Sequence, residues 1–195
     1  MKKNGFTLIE LVVVLALFML IISVTVGIFI SVIQHQKRVL SQQDLLGQLS
    51  YAQEYMSRTL RSAVKDTSGN CLVNGENAHS GYTYLLTHYN IELDAYEGIR
   101  FITKDNTCQE FFRDSGDGLL KEIKDGALPQ NLVSDTFIMS SVKFIINGNS
   151  TLQGAGEDNG IQPRVTMALN VDGKAMNGKN QIFQTTISQR DLNIP

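Results

Sequence analysis

Glu10 is the residue whose position most needs a chemical cause. It is the only formal charge among the 28 residues from Phe6 to Ile33. An ionised carboxylate at the centre of a membrane-embedded helix costs about 2.5–3.5 kcal/mol, so such residues usually have a partner. The alternative is a place near the headgroups, where the dipole of a first helical turn favours negative charge. Cys71 and Cys108, 37 positions apart, are too few and too far apart for a cysteine-only zinc site. They leave two readings open, one redox bridge or two buried thiols. The three histidines, His35, His79 and His88, show no metalloprotease spacing, and no nucleophile elbow occurs elsewhere. His79 and His88 read as solvated loop residues, and no catalytic residue is named. Asp114-Ser115-Gly116-Asp117-Gly118 and Gly156-Glu157-Asp158-Asn159-Gly160 offer oxygen ligands but lack the twelve-residue calcium-loop spacing, so both read as turns.

Three kinds of element must position these residues. Phe6–Ile33 as a helix would extend about 42 Å, more than the roughly 30 Å hydrocarbon layer of a bilayer. A cleavable secretory signal would have a shorter apolar stretch and a small-residue cleavage site, and neither is present. Beyond Ile33 the character changes to amphipathic, with Leu45, Leu49, Ala52, Met56, Leu60 and Ala63 recurring at helical spacing. One continuous helix from about Phe6 to about Val64 is expected, with Gly47 as a candidate for a bend, ending at the turn cluster Asp66-Thr67-Ser68-Gly69-Asn70. Val165, Met167, Leu169 and Val171 then alternate with polar residues, the period of a half-buried strand, before a turn at Asp172-Gly173. Similar runs cover 82–87, 98–103, 110–113, 119–123, 137–147 and 182–190, about seven strands in all. The expected class is α+β: a long N-terminal helix, half membrane-spanning and half amphipathic, packed on an antiparallel β-sheet head. The divisions are 1–5, 6–33, 34–65 and 66–195. Seventeen basic against nineteen acidic residues give a net charge of −2 with no long block of either sign, so bulk charge indicates no nucleic-acid partner.

Lys2-Lys3-Asn4-Gly5-Phe6-Thr7-Leu8-Ile9-Glu10 resembles the processing motif of type IV prepilins and type II secretion pseudopilins. The resemblance implies a basic leader, 1–5, cut by prepilin peptidase between Gly5 and Phe6, with N-methylation of Phe6. Gly suits the cut because a residue without Cβ lets an extended backbone enter a narrow cleft. The resemblance also implies that Glu10 neutralises the Phe6 amino group of a neighbouring subunit during assembly. The implied partners are prepilin peptidase, other pilin or pseudopilin subunits, an inner-membrane assembly platform and membrane lipid. The implied location is a single pass through the inner membrane with the head outside the cytoplasm. Lys37 and Arg38 balance Lys2 and Lys3, so the positive-inside rule alone leaves orientation undecided. Gly27 stands where many major pilins carry Pro, so a stretched helix is less strongly encoded there.

With the head outside, Cys71 and Cys108 reach an oxidising compartment where a disulfide persists, and a bridge would tie sheet to helix. The segments 56–61 and 183–190 resemble larger minor pilins and J-type minor pseudopilins. The function expected is a structural, minor subunit of a type IV pilus, pseudopilus or competence filament, not an enzyme, with no cofactor or metal. The rival is a single-span, membrane-anchored binding or sensor protein. A pilus-borne adhesin or DNA-uptake receptor is compatible with the first reading, with Asn74–Glu97 as its surface.

Overall fold

The computed structural model describes residues 5, 7–74, 77–135, 137–148, 162–173 and 180–190. Helix α1 runs from Leu8 to Arg61, 54 residues without interruption at Gly27 or Gly47. Each glycine costs about 1 kcal/mol relative to alanine, small against the cooperative hydrogen bonding of so long a helix.

The chain divides into two units, residues 1–43 and 44–195. In the first, every large apolar side chain from Leu8 to Ile33 is exposed. A helix apolar on all sides belongs in a medium as apolar as itself, and this one is long and apolar enough to cross a membrane. Two of its hydroxyls are satisfied internally: Ser23 Oγ donates to the Leu20 carbonyl at 2.8 Å and Thr25 Oγ1 to that of Ile22 at 2.9 Å.

In the second unit, the helix buries Leu45, Leu49, Ala52, Met56 and Leu60 completely or nearly so. These join one core with the inward residues of the sheet, among them Ile99, Phe101, Phe111, Phe144, Val165, Met167 and Leu169. Eleven strands occur among the described residues: β1 (Ala63–Val64), β2 (Val73–Asn74), β3 (Asn77–Ala78), β4 (Tyr84–Asn90), β5 (Ala95–Thr103), β6 (Cys108–Arg113), β7 (Leu120–Lys124), β8 (Gln130–Asn131), β9 (Phe137–Asn147), β10 (Arg164–Gly173) and β11 (Asn180–Ser188). The main sheet is antiparallel in order β11-β10-β9-β5-β6-β7-β8, with β1 and β4 also paired to β5; β2 and β3 form a separate hairpin. The seven strands longer than two residues are the seven expected, and β9 has both expected ends. The α+β class is thus the observed one.

Most strand ends shift by one to three residues, and two differences change an element's character. The helix stops at Arg61 rather than Val64, because Ala63 and Val64 pair with Thr103 and Ile102 of β5. Sheet hydrogen bonds replace a final helical turn, while Tyr84 Oη donates to the Leu60 carbonyl at 2.7 Å and satisfies one orphaned acceptor. Asp172 and Gly173 are not a turn: both pair with β9, opposite Ile138 and Phe137, after an irregularity at Asn170/Val171.

Candidate processing and assembly site

Gly5 is exposed, and a Cβ built on it would meet nothing within 4 Å. No local packing therefore demands glycine there. Phe6 lies outside the described residues. Thr7 precedes the first helical turn, and its N–H and Oγ1 both donate to Glu10 Oε2 at 2.9 Å. The Glu10 N–H points back to Thr7 Oγ1 at 3.4 Å, a longer contact. This is a capping box, in which the side chains of the N-cap and the third helical residue exchange bonds with each other's amides. The reading of Glu10 as either paired with an amine or solvated overlooked this local partner. Its signal was in the sequence: Thr-x-x-Glu directly before an apolar run.

Cys71 and Cys108 form a disulfide, with Cα atoms 5.4 Å apart. What it fastens differs from expectation. Cys71 belongs to a second, smaller core with Leu72, Leu85 and Ile102, and Val64, Tyr82 and Cys108 pack around it. Ile102 alternates with Phe101, which faces the main core, so this cluster lies on the other face of β5. The bridge ties the excursion 65–83 to the sheet, not the helix to the sheet, because the chain leaves α1 through β1 before reaching Cys71.

Asp66, expected only as a turn residue, organises that excursion. Its buried carboxylate accepts from the amides of Gly69 at 2.8 Å and of Cys71 and Leu72 at 2.9 Å, and from Ser68 Oγ at 2.9 Å. Burial pushes its pKa up, but these donors outweigh burial and hold it below the usual value. On the same face as the second core, Glu110 takes Thr87 Oγ1 at 2.6 Å, Arg100 at 2.8 Å and His88 Nε2 at 3.3 Å. Burial raises the Glu110 pKa, yet those partners bring it down to about 2. His88 is exposed, as expected, but lies in β4 and not in a loop, stacked on Phe112 at 4.5 Å, with φ of 52°. Its partners hold it in a backbone region that L-residues seldom adopt.

No group of three potential metal ligands occurs among the described residues. In the loop Asp114–Gly118 the two carboxylates already hold Lys121 Nζ, at 2.6 Å and 2.5 Å. The other acidic loop, 156–160, lies outside the described residues. Gly5, Thr7 and Glu10 thus stand at or just before the start of α1, while Asp66, Glu110, Asp114 and Asp117 of the head are joined into local networks.

Searches of curated proteins and of solved structures return no match for the chain. A family model, the Prokaryotic N-terminal methylation motif, matches residues 1–26, so the N-terminus of this chain is a type IV pilin-like one.

Proposed function

We propose that the chain is a filament subunit, processed by prepilin peptidase between Gly5 and Phe6, methylated at Phe6 and assembled through α1 into a pilus, pseudopilus or competence filament. The observation that carries this reading is the methylation motif over residues 1–26. The apolar half of α1 supports it, since a helix exposed on every side fits first a bilayer and then a bundle of identical helices. A disulfide in the head accords with an extracytoplasmic location. The role is structural, as a minor subunit, with no covalent product of its own.

In this reading Glu10 serves twice. It caps α1 through Thr7, and its charge neutralises the Phe6 amine of a neighbouring subunit. Glu10→Gln separates the two, because glutamine completes a capping box without the charge. Leader cleavage and membrane insertion are expected to persist in Glu10→Gln while co-purification with sheared filaments falls. In parallel, Gly5→Val is expected to retain the leader, read by N-terminal mass spectrometry. Wild-type protein still beginning at Met1, in cells with an active prepilin peptidase, would overturn the assignment. It would leave the rival, a membrane-anchored binding protein.

A further inference from the structure

Backbone hydrogen bonds bring three distant segments to one place in the head. The Arg190 N–H donates to the Arg61 carbonyl at 3.0 Å, and Gln189 Nε2 to the Ala63 carbonyl at 2.9 Å, so the end of β11 is fastened to the end of α1. Pairing of Ala63 with Thr103 brings in the turn after β5, and with it Lys104. Between them lies a cleft of about 780 Å³ lined, among the described residues, by Arg58, Arg61, Lys104 and Arg190 and by the hydroxyl residues Thr186 and Ser188.

Helix electrostatics explains only part of this. Arg58 and Arg61 stand in the last turn of α1, where the dipole favours cations, and Arg58 is also paired with Glu54 at 2.7 Å. Lys104 and Arg190 come from other segments and owe nothing to that dipole. The side chains of Arg61 and Arg190 have no hydrogen-bond or ion-pair partner among the described residues. Arg61 and Arg190, unpaired among the described residues, thus line one concavity in a chain whose net charge is −2. Their mutual repulsion is relieved by a multiply charged anion between them. Two arginine forks beside hydroxyl donors match a tetrahedral oxyanion, which accepts several charge-assisted hydrogen bonds at once.

We propose that this cleft binds a phosphate group, either free or carried on a polymer, with Arg61 and Arg190 as its principal ligands. The proposal does not rest on the filament assignment. Full-length protein in detergent is titrated calorimetrically with inorganic phosphate at constant ionic strength, with chloride as the reference. Saturable binding is expected, weakened roughly ten- to hundredfold in the double variant Arg61→Gln/Arg190→Gln, the loss of one or two charge-assisted bonds. Because the Arg61 backbone carbonyl holds Arg190, these substitutions leave the tie between α1 and β11 in place, and unchanged thermal melting checks this. Lys143→Gln, an exposed cation outside the cleft, is expected to bind as wild type. A second arm uses a short single-stranded oligonucleotide. Displacement of the oligonucleotide by free phosphate assigns both sources of the group to the same cleft. Phosphate binding no different from chloride, or binding of either probe undiminished in the double variant, overturns the proposal.

Discussion

At the scale of single residues, the charged groups buried in the head hold the sheet's second face together, and their pKa values predict how. Glu110 is depressed from 4.5 to about 2 in the folded chain. A depressed carboxyl contributes stability that is complete above its unfolded value and is lost as pH falls through the folded one. The melting temperature is therefore expected to decline between about pH 4.5 and 2, with Glu110 supplying on the order of 2 kcal/mol of that slope. Glu110→Gln is expected to melt lower than wild type near neutral pH and to flatten the slope; parallel curves would mean that Arg100 and His88 gain nothing from the carboxylate. Asp66 acts in the same direction, through backbone amides rather than cations. Neither role was legible in sequence order. The partners of Glu110 lie 10 to 23 positions away, on the neighbouring β5 and on β4 beyond it, and those of Asp66 depend on a loop conformation that a turn-rich composition does not specify. Thr7 is the opposite case, legible from Thr-x-x-Glu but overshadowed by the processing motif that contains it.

Periodicity carried most of the information at the scale of elements. The helix stripe Leu45, Leu49, Ala52, Met56, Leu60 is the one that is buried, and alternation located all seven long strands. Both signals arise because one face of each element must leave water. They fail where pairing rather than burial decides, as at Ala63–Val64, whose apolar side chains suit a helix end as well as a strand. The stripe yields a direct test. Met56 is fully buried in the main core, whereas Tyr51, on the same helix, is mostly exposed. Met56→Ala is expected to destabilise the head by about 2–5 kcal/mol through lost burial and a residual cavity, and Tyr51→Ala by less than about 0.5 kcal/mol. Denaturant unfolding followed by near-ultraviolet dichroism measures both, and equal effects would contradict the packing of this helix face. The basic cleft shows the limit of linear reading, since Arg61, Lys104 and Arg190 form no run in the sequence and meet only through β-pairing and end-to-end backbone bonds.

For the whole molecule, the excursion 65–83 is where the fold depends on more than one kind of bond. Its small core of Cys71, Leu72, Leu85 and Ile102 is too limited to order such a polar segment by burial alone. Two further devices act on it: the Asp66 carboxylate gathers the amides of residues 69, 71 and 72, and the disulfide pins Cys71 to the start of β6. Closing a loop of 37 residues contributes roughly 3–4 kcal/mol in the chain-entropy model. Cys71→Ser/Cys108→Ser is accordingly expected to lower the melting temperature by about 10 °C. Asp66→Ala removes the acceptor from several buried donors and is expected to cost about 2–3 kcal/mol by itself. The informative quantity is how the two combine. If the carboxylate orders the backbone that presents Cys71, the bridge is less stabilising in Asp66→Ala than in wild type, and the combined loss falls short of the sum by more than about 0.5 kcal/mol. Strict additivity would show that the excursion is held by two independent attachments. A double-mutant cycle, with the oxidation state checked by non-reducing peptide mapping, distinguishes them, and it also tests the location. The bridge must be found intact in protein from the native envelope if the head lies in an oxidising compartment, and free thiols there would place the head on the reducing side of the membrane.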